Sequence, residues 1–384
     1  MARQTVILPI VLLLLGAVLY LLTRPDEPRS PRASLSVAGA LRTADDRGYA
    51  QAIEPREFSF PADHGPHPKL RTEWWYYTGN LETDEGRRFG FQLTFFRSAL
   101  APEMPDRRSA WATREAWLAH FAVSDINGER FHSFERWSRG GPVGLAGAQG
   151  RPFRVWVEDW SAEGTGEDVF PMRLSARQGD VGIDLSLEQG KPPVLQGERG
   201  LSRKSAEPGN ASYYYSLTRM PASGTVRLGG ESFQVTGLAW MDREWSTSSL
   251  GADQVGWDWF ALQLSDGSEV MLYRLRRQDG SADPASSGTV VGPGGKSRTL
   301  SLADFTLKDL DRWRSPRSGA TYPEHWRLHI PSESLELEVR PFLADQELDV
   351  SFHYWEGAVE VEGIRGGKPV RGQGYVELTG YADR

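Results

Sequence analysis

Phe89, Phe91, Leu93 and Phe95 alternate with Gly90, Gln92 and Thr94. The same period of two returns in Leu335, Leu337 and Val339, set between Glu336, Glu338 and Arg340, and again in Val359 and Val361 beside Glu360 and Glu362. A period of two sends alternate side chains to a packed face and to water or a ligand, so these runs predict β-strands. Turn-forming sequences separate such runs: Asp84-Glu85-Gly86, Asn127-Gly128, Leu228-Gly229-Gly230, Asp266-Gly267 and Gly366-Gly367. Many short strands joined by hairpin-type turns predict an all-β protein built from antiparallel barrels or sandwiches. Helical candidates are few. Leu302 to Trp313 is the best in the body, and Thr43 to Ile53 precedes it. The stretch Gly280 to Gly295, rich in Gly, Ser and Pro, predicts an exposed hairpin connection.

The N-terminus departs from this pattern. Val6 to Leu22 is apolar on all faces, interrupted only by Pro9 and Gly16, with Arg3 before it and Arg24 after it. A helix of roughly 17 residues just reaches the lower limit for crossing a hydrocarbon core. No small-x-small cleavage site follows directly, and Val37-Ala38-Gly39-Ala40 comes late, which favours an uncleaved anchor over a cleaved signal peptide. Either way the body is expected on the periplasmic side of an inner membrane, anchored or released. A chain of 384 residues, at about 100–200 residues per domain, suggests two domains. The expected organisation is an anchor or signal peptide over 1–23, a tether with a short helix over 24–54, a first domain over 55–245 and a second over 246–384.

Charge and composition remove several functions. A net charge of -7 leaves no basic excess to meet a phosphate backbone, so no nucleic-acid partner is expected. The absence of Cys removes disulfides, thiolate zinc sites and Cys nucleophiles together. His64-Gly65-Pro66-His67 is a turn sequence, and His325 and His329 lack the HExxH pattern, so no metal site is predicted. With no G-x-S-x-G elbow and no phosphate-binding glycine loop, serine-hydrolase and nucleotide chemistry lack their parts, and no cofactor is expected. His120 and His353 are open to two readings, acid–base groups or hydrogen-bonded core residues.

Three patches concentrate the remaining chemistry. In Arg71-Thr72-Glu73-Trp74-Trp75-Tyr76-Tyr77-Thr78-Gly79-Asn80, a strand puts Glu73, Trp75 and Tyr77 on one face. A carboxylate among aromatics is poorly solvated, which suits it to proton donation; pairing with an Arg in a core strand is the other reading. In Trp240-Met241-Asp242-Arg243-Glu244-Trp245-Ser246, Asp242 and Glu244 share a face if extended. They are either an acid–base pair or parts of a salt-bridge network between domains. In Gly256-Trp257-Asp258-Trp259-Phe260, Trp257 and Trp259 form either an aromatic platform for a flat ligand or ordinary core.

Taken in order, these segments resemble AttH-like proteins and carotenoid 1,2-hydratases. The likeness runs through Phe60-Pro61-Ala62-Asp63-His64-Gly65-Pro66-His67, Thr72 to Leu81, Tyr214-Tyr215-Ser216 with Thr218-Arg219, Asp242 to Ser246, and Tyr375 to Tyr381. It implies two packed lipocalin-like antiparallel β-barrel domains after the N-terminal apolar helix, and a hydrophobic small molecule or lipid as ligand. Relatives so implied include hydratases that add water to a carotenoid double bond, fungal pericyclases, and proteins encoded beside ABC-type exporters. The expectation is a ligand-binding protein with hydratase-type acid catalysis by Asp242, Glu244 or Glu73, and with Trp75, Tyr77, Trp245, Trp257 and Trp259 around the ligand. A non-catalytic carrier or accessory protein for a lipid or lipoprotein exporter is the alternative. Many relatives are expected to carry His directly after the Asp of the Asp242 patch. Arg243 stands there and cannot shuttle a proton near neutral pH.

Overall fold

The computed structural model of the chain describes residues 46–103, 112–141, 143–166, 169–248 and 250–382. Among them strands dominate, and helix is confined to short 3-10 turns. The alternation read from the sequence is realised strand by strand. Phe89, Phe91, Leu93 and Phe95 are all buried on the strand Arg88–Ala99. On Leu335–Pro341 the three aliphatic residues are buried, while Glu336 and Arg340 face out. The five turn sequences all close hairpins. At Leu228-Gly229-Gly230 both glycines have positive φ, 59° and 86°, the pair of left-handed residues that a tight two-residue turn needs.

Two antiparallel sheets result. A 13-stranded sheet takes the strands from Thr72–Glu82 to Glu231–Ser246, and a 10-stranded sheet takes those from Gln254–Leu264 to Lys368–Leu378. Each curls into a barrel-like domain around its own core. Phe91, Phe121, Trp160 and Leu185 fill the first; Phe260, Trp326, Leu337 and Trp355 fill the second. A third cluster joins them, with Tyr76, Tyr214 and Trp240 from the first sheet against Trp259, Met271 and Tyr273 from the second. Where they supply this cluster, the strands are buried on both faces, as over Ala239 to Ser246.

Three sequence-based expectations are corrected. Ser301 and Asp304 form a reciprocal capping box, yet the helical turn they start ends at Asp304. From Thr306 to Arg314 the chain is a strand paired with Thr321–Ile330, because a neighbouring strand offers the backbone partners over a longer stretch than the cap can. The expected loop Gly280 to Gly295 holds a strand, Ser287–Val291, bonded on both sides. Residues 46–53, the described part of the expected short helix, are turns and extended backbone. Gly48 has a φ of 87°, and Ala50 is held through both backbone groups, donating to the Lys69 carbonyl at 2.9 Å and accepting from the Thr247 hydroxyl. The apolar run 6–22 lies outside the described residues. No helix among those described is long and apolar enough to cross a membrane.

A buried charge sets which side chains of the central strands face which way. Glu73, Trp75 and Tyr77 point into the first barrel. Glu73 is 0% exposed and meets two guanidiniums, Arg97 Nε at 2.7 Å and Arg243 Nη2. These arrive from the two strands that flank Thr72–Glu82, with Glu73 level with Trp245 and Trp75 level with Arg243. Arg243 also lies over Trp75, its guanidinium carbon 3.8 Å from the ring centre, in cation–π contact. Burial by itself raises the Glu73 carboxyl, but Arg243 and Arg97 outweigh burial and hold it well below the usual carboxylate range. Glu73→Gln leaves buried Arg243 without its anion and Arg97 with only Glu115, at 3.2 Å, and is expected to cost about 3–5 kcal/mol in urea denaturation. Because the folded-state value is depressed, the stabilisation is full above pH ~4.5 and lost as pH falls further. A Glu73→Gln protein as stable as wild type at pH 7 would contradict this role.

Candidate active site

Where the barrels meet, they leave a cavity of about 190 Å³. It is far larger than the roughly 10–15 Å³ that one water requires. Alternation along the strands decides what lines it. Trp74 and Tyr76, from the face opposite Glu73, form one wall beside Asp242 and Glu244. Tyr214 comes from the long strand Ala211–Leu228, level with Glu244. The second barrel contributes Trp257, Trp259, Tyr273 and Glu377. Toward one edge the lining becomes apolar, with Phe96, Leu118 and Phe352, and ends at half-exposed Trp137.

The cavity separates the residues predicted from the sequence into two groups. Asp242, Glu244, Trp257 and Trp259 line it together. Glu73, Trp75, Tyr77 and Trp245 do not, because one-residue offsets along a strand send them into the first barrel. Trp75 and Trp245 sandwich Arg243 there, and the His67 ring stacks on Trp245 at 3.8 Å. Glu73, ionised between two arginines, is no proton donor. Arg243 is fully buried on that same inward side, so its replacement of an expected His takes nothing from the cavity wall.

The two acids of the Asp242 patch occupy different electrostatic settings. Glu244 is ion-paired with Lys204 at 2.9 Å and accepts from the Ser212 hydroxyl. Asp242 has no cation among its hydrogen-bond partners. It accepts from Trp240 Nε1 at 2.7 Å, from Ser216 Oγ at 2.5 Å and from the Tyr214 hydroxyl, which in turn accepts from Trp259 Nε1 at 3.2 Å. Burial raises its carboxyl; the three hydrogen bonds pull it back and the charge of Glu244 pushes it up again, to about 7. A carboxyl at that value exists in both forms near neutral pH, as a general acid requires.

Several cavity residues carried little or no sequence signal. Glu377 accepts from Trp257 Nε1 at 3.0 Å. Its burial, with the charges of Asp242 and Glu244, lifts it to about 8 against that bond. It lies inside the Tyr375–Tyr381 segment, where the sequence showed resemblance but not chemistry. Lys204 stands 4.5 Å from the Tyr273 ring centre and 5.3 Å from that of Tyr214, and nothing around it in the sequence marks it. Of the two open histidines, His120 lines the cavity, its Nδ1 2.7 Å from the Tyr354 hydroxyl and its Nε2 3.4 Å from Glu135. His353 is not part of the lining. Among the described residues, no cluster of His, Asp and Glu is arranged to hold a metal ion.

The raised carboxyls carry a stability signature. An acid whose folded-state value is raised contributes stability below its ordinary value and loses that contribution as pH climbs to the raised one. For Asp242 the window runs from 3.8 to about 7, and for Glu377 from 4.5 to about 8. Asp242→Asn and Glu377→Gln should each reduce the fall in unfolding free energy between pH 5 and pH 8, measured by urea titration at both values. An unaltered difference in both variants would show that neither acid is neutral in the folded protein.

Comparison with known proteins bears on this fold. An AttH protein from Nitrosomonas europaea is 34% identical, with a TM-score of 0.76 over 86% of this chain and 99% of its own. Kievitone hydratase from Nectria haematococca shares the fold at 16% identity and a TM-score of 0.66, covering 88% of this chain and 99% of its own. CghA, in a crystal structure with Sch210972, is similar at 14% identity and a TM-score of 0.51, over 88% of this chain and 98% of its own. None of the curated proteins matches the sequence. The AttH-like family model matches residues 51–381. With nearly the whole described body inside that match, the chain belongs to the AttH-like family.

Proposed function

We propose that this protein binds an apolar small molecule between its barrels and adds water to a carbon–carbon double bond of it by acid catalysis. The observation that carries the reading is Asp242, a carboxyl without a cationic partner, poised near neutral pH in a cavity walled by Trp and Tyr. In this scheme the protonated Asp242 gives its proton to one alkene carbon, forming a C–H bond and leaving a cation on the other. The π faces of Trp74, Trp257 and Trp259 stabilise that cation. A water adds to it, and the proton that this water sheds returns to the Asp242 carboxylate, so the net change is alkene plus water to alcohol. The donors Tyr214, Ser216 and Trp240 orient the acid, and Glu244 beside it is paired with Lys204. The shared fold of a hydratase, kievitone hydratase, is consistent with such chemistry. The apolar run 6–22 suits work at the periplasmic face of an inner membrane, where apolar substrates partition.

The full-length protein, incubated with a panel of isoprenoid alkenes in ¹⁸O-labelled water, should yield a labelled alcohol detected by mass spectrometry. Asp242→Asn is expected to lower kcat by about 10²–10⁴-fold with little change in KM, the loss typical of a removed general acid. Trp259→Ala should weaken binding of the same substrate. Turnover unaffected by Asp242→Asn would refute the assignment. Lipid that co-purifies and leaves unchanged, with no labelled product from any alkene, would instead support a carrier.

A further inference from the structure

The aromatic cavity is not the only opening between the barrels. A second cavity of about 600 Å³ lies at the other end of the same interface, lined by charged groups such as Arg88, Glu360 and Arg371 and by Asn80, Gln263 and Gln373. Between the two cavities runs a band of buried polar side chains. On the first barrel, Tyr76, Thr78 and Asn80 succeed one another on one face of Thr72–Glu82, with Thr94 and Gln92 level with the first two on the next strand. On the second, Glu377, Tyr375 and Gln373 do the same on Lys368–Leu378, with Glu356 level with Glu377. Tyr76 and Glu377 line the aromatic cavity; Asn80 and Gln373 line the polar one. Four residues of strand separate Glu377 from Gln373, roughly 13 Å.

This band is incompletely bonded. The Tyr76 hydroxyl donates to Glu356 Oε1, Gln92 Nε2 to Thr94 Oγ1 at 2.6 Å, and Asn80 Nδ2 to the Gly374 carbonyl at 3.0 Å. Their other ends are not satisfied. Glu356 Oε2, Gln92 Oε1 and Asn80 Oδ1 are buried and have no hydrogen-bond partner in the protein, and the Tyr375 hydroxyl has only the Ser124 side chain near it. Glu356 and Gln92 are 0% exposed. Buried polar atoms are almost always satisfied, and several orphans in one file are what a chain of bound waters satisfies. Elsewhere on the interface buried polar groups are paired across it, as Ser124 with Gln346 at 2.6 Å and Gln196 with Thr289 at 2.6 Å, so the unpaired atoms set this band apart.

We propose that water and protons enter from the polar cavity and pass along Asn80, Gln92, Tyr375 and Glu356 to Glu377 and the aromatic site. As a supply of reactant, this path serves the hydration proposed above: an apolar ligand seated in the aromatic cavity blocks that side to water. As a conduit it stands independently of any turnover.

The test uses full-length protein with 1-aminoanthracene in the aromatic cavity, saturation being followed by its fluorescence. After transfer to D₂O, infrared spectroscopy follows hydrogen exchange of the protonated buried carboxyls, the Glu356 band being identified with Glu356→Gln. Exchange should persist in the wild type with the probe bound, and slow by at least about tenfold in Gln92→Leu and Asn80→Leu, where an apolar side chain of similar size displaces the bridging water. Exchange that stops when the probe binds, or that is unaltered in both variants, would overturn the path. Should the variants fail to fold, a high-resolution crystal structure of the wild type decides: ordered waters on Asn80 Oδ1, Gln92 Oε1 and Glu356 Oε2 support the path, and a dry band overturns it. Loss of the path with labelled alcohol still formed would leave the hydration reading standing, whereas an intact path without product would remove that reading alone.

Discussion

The ion pair of Glu73 with Arg243 and Arg97 is the constraint on which the site depends. Its three members come from three adjacent strands and close on one another inside the first barrel. A one-residue slip of any of these strands would send its charge to the opposite face and leave the partners buried and uncompensated. The pair therefore holds the register, and the register decides what faces outward. With Glu73, Trp75 and Arg243 turned in, Trp74, Tyr76, Asp242 and Glu244 have to be turned toward the second barrel. An interaction inside the first barrel thus determines which acids line the cavity.

The same geometry explains why two neighbouring carboxyls behave differently. Glu244 is ion-paired with Lys204. Asp242, two residues away on the same face, meets only neutral donors, and these do not fully offset the cost of burying a charge. The second barrel sharpens the contrast. Glu377 and Glu356 are level with each other on adjacent strands; burial raises both, helped at Glu377 by the charges of Asp242 and Glu244 and at Glu356 by that of Glu377. The cavity wall consequently holds two raised acids, Asp242 and Glu377, beside the ion pair of Glu244 with Lys204, and carries less net charge than the count of carboxylates suggests.

Much of the architecture was legible because it rests on periodicity. Alternating Phe89 to Phe95 and the glycine turns specify strands and hairpins through local rules that need no partner. The errors arose where tertiary pairing overrode local signals, as in Thr306–Arg314, where strand neighbours displaced a capped helical turn. The site was half legible. Alternation correctly grouped Asp242 with Glu244 and Trp257 with Trp259, but it cannot say which of two faces meets a cavity when both are buried. Glu73, Trp75 and Tyr77 were drawn to the ligand for that reason, although Trp74 and Tyr76 line the cavity. Lys204 was invisible, since its importance lies in a contact with Glu244 forty residues along the chain.

Arg243 shows how a departure from a family pattern should be weighed. Read along the sequence, an Arg beside Asp242 in place of His looks like a lost proton shuttle. In the folded protein, position 243 points away from Asp242's side of the sheet, lies over Trp75 and neutralises Glu73. A permanently charged, planar group suits that position better than a titratable one, because its partner carboxylate has to stay ionised for the register to hold. The raised acids of the cavity, Asp242 on the other face of this sheet and Glu377 on the second barrel, owe their values to burial and to neighbouring carboxylates, Glu244 for Asp242 and Asp242 with Glu244 for Glu377, rather than to residue 243. The arginine therefore takes nothing from the acids of the cavity; it belongs to the scaffold that turns Asp242 toward the second barrel.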